Sequence, residues 1–318
     1  MRVDTAALYT FAWRHAWRVP GPIIRGLGNV AADAVWALHG GGVRQLEKNL
    51  ARAAPELDER GVRRLSRAAM RSYLRYFGEA FTIAARSWEQ IDASVSASGV
   101  EHLTRHTDQG GSVVMGLGHV GNWDLAGAWA TRAVAPVTTV AERLKPEELF
   151  QEFLKFREGI GLRILALGDG DVFRQLVRVA RGGPAILPLL SDRDLSSSGV
   201  EVELFGQRAR VAAGPAAVAI SAGAPLVTTV ITYERLSGAR RKAAGTPWGI
   251  HIDFIPVDVD LTDVPRAQRV QVLTQAWVDK LAEGIHASPQ DWHMLQKVFI
   301  EDLDPARYAE TLAKAAHT

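Results

Sequence analysis

Hydrophobic periodicity divides the chain near residue 95. Before it, Leu65, Ala69, Tyr73, Phe77 and Phe81 recur every four residues while Arg60, Arg64, Arg67, Arg71 and Arg75 fill the other faces. That spacing predicts helices over 5–90. Beyond it, short apolar runs (SVVMGLG, VTTVAE, RILALG, AILPLLS, VEVELFG, PLVTTVITY, IHIDFIPVD) alternate with helical stretches such as 146–159 and 170–182, and a last helix is expected over 265–286. The alternation predicts an α/β fold, with a mostly parallel central sheet flanked by helices on both faces and a helical N-terminal extension. Chemistry is expected at the carboxyl ends of its strands. Strands 225–233 and 250–257 suit an antiparallel pair joined by a basic, turn-rich loop. The organisation read from this pattern is a helical N-terminal region with a membrane-apposed segment (1–95) and one continuous α/β core (96–318).

The apolar stretch 211–233 carries no charge and has the length of a membrane span. Gly214, Pro215, Gly223 and Pro225 break it into a short buried helix and a β-branched strand instead. The first twenty residues lack the continuous apolar core of a signal peptide. With 318 residues and 47% hydrophobic content, the chain can bury a substantial core. It has no cysteine, which excludes disulfides, a thiol nucleophile and Cys-ligated zinc. Charge is uneven: residues 1–100 hold fourteen Lys+Arg against nine Asp+Glu, a net +5 in a chain of net +2. Tyr9, Phe11, Trp13 and Trp17 alternate there with Arg14 and Arg18, as in a helix lying among lipid headgroups; an amphipathic helix packed on its own domain explains them equally.

Candidate chemistry centres on SVVMGLGHVGNWDLAGAWATR (112–132), where an apolar strand delivers His119 to a glycine-rich turn with Asp124 five residues on. His286 and Asp291 repeat the spacing, so context must decide. Gly116, Gly118 and Gly121 also spell GxGxxG, with Glu142 ending the next strand as a ribose-binding acid would, which keeps a nicotinamide-dependent oxidoreductase in view. Against it, His119, Trp123 and Asp124 crowd the place a pyrophosphate needs. No GxSxG or HExxH occurs. A third reading is acyl transfer to a hydroxyl, set against a purely structural one in which His119 caps the turn and Asp124 the helix. A neutral imidazole takes the proton, a carboxylate on the next helix fixes its tautomer, and amides at the start of helix 122–132 meet the oxyanion.

HVGNWDLAGAW resembles the HX4D/E motif of the lysophospholipid acyltransferase superfamily, in particular the branch of late lipid A acyltransferases and phosphatidylinositol mannoside acyltransferases. AERLKPEELFQEFLKFREGIG (141–161), SDRDLSSSGVEVELFG (191–206) and ASPQDWHMLQKVF (287–299) are similar to this branch in the same order. The resemblance spans roughly 20–300. It implies His119 as catalytic base, Asp124 as its motif acid and Glu142 near the histidine or acceptor. It places Arg157 near a head group, and Asp192 and Asp194 on acceptor hydroxyls with Glu201 as the alternative. Arg143, Lys145, Lys155, Arg208 and Arg210 are charge partners available to coenzyme A phosphates. Asp291, Trp292 and His293 read as structural, locking the last helix onto the sheet.

The resulting expectation is a peripheral enzyme on the cytoplasmic face of the cell membrane. It moves a fatty acyl chain from acyl-CoA, a co-substrate rather than a bound cofactor, to a glycolipid hydroxyl, foremost a mannose of phosphatidylinositol mannoside. A lysophospholipid or another glycolipid is the alternative acceptor. Partners are acyl-CoA, the lipid acceptor and an anionic membrane surface, with no metal and no nucleic acid.

Overall fold

The computed structural model describes residues 19–315 except 144, 168, 169, 195 and 197. The aromatic and arginine segment 9–18 lies outside the described residues. Four helices come first: α1 (Gly21–Ala37), α2 (Gly41–Ala53), α3 (Glu59–Ile83) and α4 (Trp88–Ala93). Ala32, Val43, Leu46, Leu50, Ala69 and Met70 make a small apolar cluster among α1, α2 and α3. Ala80 and Ile83, at the end of α3, belong to the main core. Because α3 is packed on two sides, its buried face is not the expected stripe. Tyr73, Phe77 and Phe81 are half-buried, and the fully buried set includes Ser66, Met70, Ser72, Tyr76 and Glu79.

The α/β portion continues with β1 (Val95–Ser98), α5 (Glu101–Thr107), β2 (Val113–Leu117), α6 (Trp123–Ala133), β3 (Thr138–Ala141) and α7 (Glu147–Gly159). Then come β4 (Arg163–Ala166), α8 (Val172–Arg181), β5 (Ile186–Leu190), β6 (Val200–Leu204), β7 (Gln207–Val211) and α9 (Gly214–Ala222). β8 (Leu226–Arg235), α10 (Gly238–Ala244), β9 (Trp248–Pro256), α11 (Arg269–Ala287) and α12 (Pro305–Ala315) complete the order. The central sheet runs β1-β9-β8-β2-β5. Every ladder in it is parallel except β8 with β9, the pair whose sequence suited antiparallel pairing. β3 and β4 form a parallel pair, joined to β5 by a bridge from Val137 to Ile186.

Side chains alternate across the sheet. Met115 and Leu117 of β2 face a cavity under α6, and at Gly116, on the other face, a side chain would strike Trp277 of α11. The 211–233 stretch resolves into α9 and β8, as its glycines and prolines indicated. Among the described residues no helix is long and apolar enough to cross a membrane.

Two expectations fail for identifiable reasons. VEVELFG is a strand but not one of the central sheet, pairing instead with β7 in an antiparallel hairpin. Its Val202 and Leu204 are buried while Glu203 is exposed, so only one face needs covering. The partner strand, QRARV, was hidden by its charges. The 234–249 connector contains α10 rather than loop alone.

One register sets up the site. β2 and β5 pair with Leu117 opposite Leu190, and Ser191 N donates to Leu117 O at 2.8 Å. Residues two beyond each strand end, His119 and Asp192, therefore emerge side by side. The turn between β2 and α6 needs a left-handed residue at Gly121 (φ 57°). A Cβ there would lie 2.5 Å from the Ile231 carbonyl oxygen. Gly110 is also left-handed (φ 81°) but has open space around it. Gly110→Ala should then lose only the conformational cost, about 1 kcal/mol, whereas Gly121→Ala should lose about 3 kcal/mol or more because β8 must move. Urea unfolding of the two variants checks this; equal losses would contradict it.

Candidate active site

His119 is gripped by Asp192. Its Nδ1 lies 2.6 Å from Asp192 Oδ1, its backbone N–H donates to Oδ2 at 2.9 Å, and Trp292 Nε1 donates to Oδ2 at 2.9 Å. Asp192 is buried, whereas the His119 side chain keeps 40% of its surface. A carboxylate withdrawn from water costs several kcal/mol unless such donors replace it. Burial pushes the Asp192 pKa up, but the charge and hydrogen bonds of His119 outweigh it and hold the acid below its ordinary value. Burial likewise pulls the imidazole down, and Asp192 more than reverses it, so His119 sits above the usual histidine value. An ionised Asp192 requires the proton on Nδ1, which leaves the Nε2 lone pair as the available base. Gly118 makes room for this grip, since a Cβ there would approach Asp192 Oδ2 at 3.0 Å.

Asp124 does not orient the imidazole, contrary to the expectation from the motif. It is buried in the first turn of α6, where Tyr76 Oη donates to Oδ2 at 2.8 Å and Arg157 Nε to Oδ1 at 2.9 Å. Arg157, from α7, is only 15% exposed and needs a counterion at that depth. Burial alone would lower its pKa, but Asp124 raises it further. The motif acid thus ties α6 to α3 and α7. Asn122 caps α6, accepting from Leu125 N at 3.0 Å, so that amide is not offered to an oxyanion. Asn122 Nδ2 in turn donates to Glu79 at 2.8 Å, and Tyr233 Oη donates to the same carboxylate at 3.0 Å.

The C-terminal PQDWH segment closes the other side of the turn. His293 N donates to His119 O at 2.8 Å, and Gly121 N to Asp291 O at 2.9 Å. Asp291 accepts from Ser72 Oγ at 2.6 Å and from Tyr233 N at 2.8 Å. These three residues lock the histidine loop itself, not merely the last helix. His286, of the second HX4D match, instead contacts the Ala53 carbonyl at 2.8 Å.

The remaining predicted residues disperse. Glu142 and Arg143 are exposed past the end of β3, and Arg143 pairs with Glu147 at 3.0 Å. Asp194 shapes its own loop, accepting from Ser196 N at 2.7 Å. Glu201 lies on the β6–β7 hairpin, bonded to Arg208 and Tyr308. Arg210 is buried and donates to Ser196 O and Gly199 O at 2.9 and 2.6 Å, so it does not face solvent. Lys155 is exposed beside Glu152 at 3.8 Å. Tyr76, Glu79 and Ser72 escaped sequence reading. Their signal was polar residues at helical spacing on the same face of α3 as Ala69, Ala80 and Ile83.

An apolar cavity of about 600 Å³, open mouth included, runs between the sheet and α6. Leu117, Ala126, Ala130, Ile186 and Phe254 line its length, and Trp123, Asp124 and Arg157 its polar end. Trp123 meets the His119 ring edge-on at 5.6 Å. The His119 ring thus adjoins, through Trp123, one end of an apolar slot.

The family model for bacterial lipid A biosynthesis acyltransferases matches residues 2–300. The chain belongs to this acyltransferase family. It is 36% identical over 304 residues to the phosphatidylinositol mannoside acyltransferase of Mycolicibacterium smegmatis, covering 95% of this chain and 93% of that one. Against the phosphatidylinositol mannoside acyltransferase of Mycobacterium tuberculosis the identity is 34% over 313 residues, with 97% and 93% covered. The crystal structure of the 1-acyl-sn-glycerophosphate acyltransferase PlsC of Thermotoga maritima aligns at 12% identity, TM-score 0.34, over 68% of this chain and 87% of that one. Membership overturns the dinucleotide reading of the glycine turn, and geometry shows why it fails. The amides of His119 and Gly121 are spent on the Asp192 carboxylate and the Asp291 backbone carbonyl, so the donors and positive potential that a pyrophosphate needs are absent there.

Burial holds His293 neutral, lowering its pKa to about 3, with the charges of His119 and Arg75 adding to the effect. An unfolded histidine binds a proton below about pH 6.5. The native state cannot do so until about pH 3, so stability present above pH 6.5 is lost as pH falls, by up to about 1.4 kcal/mol per unit. Urea unfolding between pH 7 and 5 should show this slope and its absence in His293→Asn. Parallel slopes would contradict it.

Proposed function

We propose that this acyltransferase moves a fatty acyl chain from acyl-CoA to a hydroxyl of a glycolipid, a mannose of phosphatidylinositol mannoside, with His119 as general base. The observation that carries this reading is the His119–Asp192 pair, whose imidazole meets Trp123 in the lining of the apolar cavity. Nε2 of His119 takes the acceptor hydroxyl proton as the oxygen attacks the thioester carbonyl. Asp192 stabilises the imidazolium. The tetrahedral intermediate then expels the coenzyme A thiolate, which takes the proton back from His119 to leave as the thiol. No enzyme nucleophile is required, since a thiolate of pKa about 8.5 leaves readily. The acyl chain occupies the cavity under α6, and Arg157, fixed by Asp124, offsets negative charge at its mouth. Glu142 and Arg143, exposed at the carboxyl end of β3, are available to the acceptor head group or to coenzyme A.

Phosphatidylinositol mannoside as acceptor comes from the two mycobacterial relatives; a lysophospholipid is the competing acceptor. With radiolabelled palmitoyl-CoA, the wild type should acylate phosphatidylinositol mannoside in preference to lysophospholipids, and His119→Gln should lose at least about 10³-fold in kcat. Transfer undiminished in His119→Gln would refute the mechanism.

The proposal also places the protein peripherally on the cytoplasmic face of the membrane. Supporting this, Ile23, Leu27, Val30 and Leu38 recur along and just past α1 and are 51%, 65%, 69% and 82% exposed. Such a contiguous apolar stripe is the kind that enters a lipid interface. Ile23→Glu/Leu27→Glu should reduce co-sedimentation with anionic liposomes several-fold without changing the unfolding midpoint; unchanged binding would refute this contact.

A further inference from the structure

A second cavity, about 820 Å³ with its open mouth, has Asp291 in its lining. One of its walls is a row of arginines from α3, Arg64, Arg67, Arg71 and Arg75, at spacings that keep them on neighbouring turns. Two of the four are partnered. Asp33 of α1 takes Arg67 through Nε and Nη2 at 3.0 and 2.6 Å, and Arg71 through the same atoms at 2.7 and 2.5 Å. The carboxylate in the lining itself, Asp291, is engaged by Ser72 and the Tyr233 amide. Four guanidinium groups thus line the cavity beside one carboxylate, with Asp33 behind two of them.

Arg75 is the distinctive member. Its Cζ lies 3.7 Å from the Trp248 ring centroid and 4.6 Å from that of Tyr233. It is half-buried, and among the described residues no carboxylate or carbonyl accepts from it. A guanidinium held over aromatic rings, with its N–H groups unspent, is prepared for bidentate recognition of a phosphate. Arg64 is exposed at the rim. The Ser72 and Asp291 floor is one residue layer from the reacting histidine, since Ser72 Oγ also contacts His293 Nε2 at 3.0 Å and His293 N holds His119 O.

We propose that this cleft binds the phosphodiester of the lipid acceptor, holding the acceptor by its phosphate while a sugar hydroxyl reaches His119. The inference rests on the glycolipid reading above. A lipid phosphate is favoured over those of coenzyme A because α1, which supplies Asp33 to the arginine row, also carries the exposed apolar stripe. A phosphate arriving from the membrane side meets this wall first.

The test separates binding from catalysis. Calorimetry with glycerophosphoinositol, the soluble phosphate-bearing head group, should show binding to the wild type and at least tenfold weaker binding to Arg64→Gln/Arg75→Gln. Arg64→Gln, at an exposed site, and the charge-retaining Arg75→Lys should each weaken binding less, which guards against a folding defect. In acyl transfer, the double variant's KM for phosphatidylinositol mannoside should rise at least tenfold, with the KM for palmitoyl-CoA unchanged, and the penalty should vanish with octyl mannoside, which has no phosphate. No head-group binding by the wild type would overturn the proposal. So would a rise confined to the KM for palmitoyl-CoA, assigning the cleft to coenzyme A, or loss of binding to phosphatidylglycerol vesicles with acceptor KM unchanged, assigning it to bulk lipid. Absence of transfer by the wild type to every acceptor would refute the enzymatic reading and leave calorimetry to decide the cleft.

Discussion

The parallel register of β2 on β5 is the constraint on which the site depends. With Leu117 opposite Leu190, the chain leaves both strands at the same level, and two residues later His119 and Asp192 lie within one hydrogen bond. A slip of either strand by one residue would turn its side chain to the opposite face and part the pair. The register is secured by burial on both sides, since every residue of β2 is inaccessible. Gly118 and Gly121 then let the chain turn under the Asp192 carboxylate and the Ile231 carbonyl.

Around that pair the molecule divides its carboxylates by task. Asp192, with three donors, sets the tautomer and raises the proton affinity of His119. Asp124 is spent on Arg157 and Tyr76, and Asp291 on Ser72 and the β8 backbone. Each is buried, and each would be costly without its donors. All three networks converge on α3 or the residues it touches. The helical region before the sheet is thereby part of the site's support: Tyr76, Glu79 and Ser72 reach the first turn of α6, its cap and the C-terminal lock.

Much of this was legible from periodicity. Of the seven apolar runs read as sheet strands, four lie in the central sheet and two more form the β3–β4 pair bridged to it, and the breaks at Pro215 and Gly223 correctly divided an uncharged stretch into helix and strand. VEVELFG failed because an apolar alternation reports one buried face without saying what covers it. QRARV failed because its charges mask a one-sided strand. The site was legible in its members more than in its pairing. His119, Asp124, Arg157 and Asp192 were all named, but proximity in sequence favoured Asp124 as the histidine's partner, and only the β2–β5 register, a long-range property, brings Asp192 there. Asp194 and Glu201 stand close to Asp192 in sequence, yet the hairpin carries them into separate contacts.

The central claim, that Asp192 rather than Asp124 makes His119 the base, is tested most directly by titrating the His119 ring by NMR in the wild type, Asp192→Asn and Asp124→Asn. His119 should titrate above the ordinary histidine value in the wild type and fall below it in Asp192→Asn, where burial is no longer opposed, while Asp124→Asn moves it far less. A wild-type value at or below the ordinary one, or a larger drop in Asp124→Asn than in Asp192→Asn, would contradict the account.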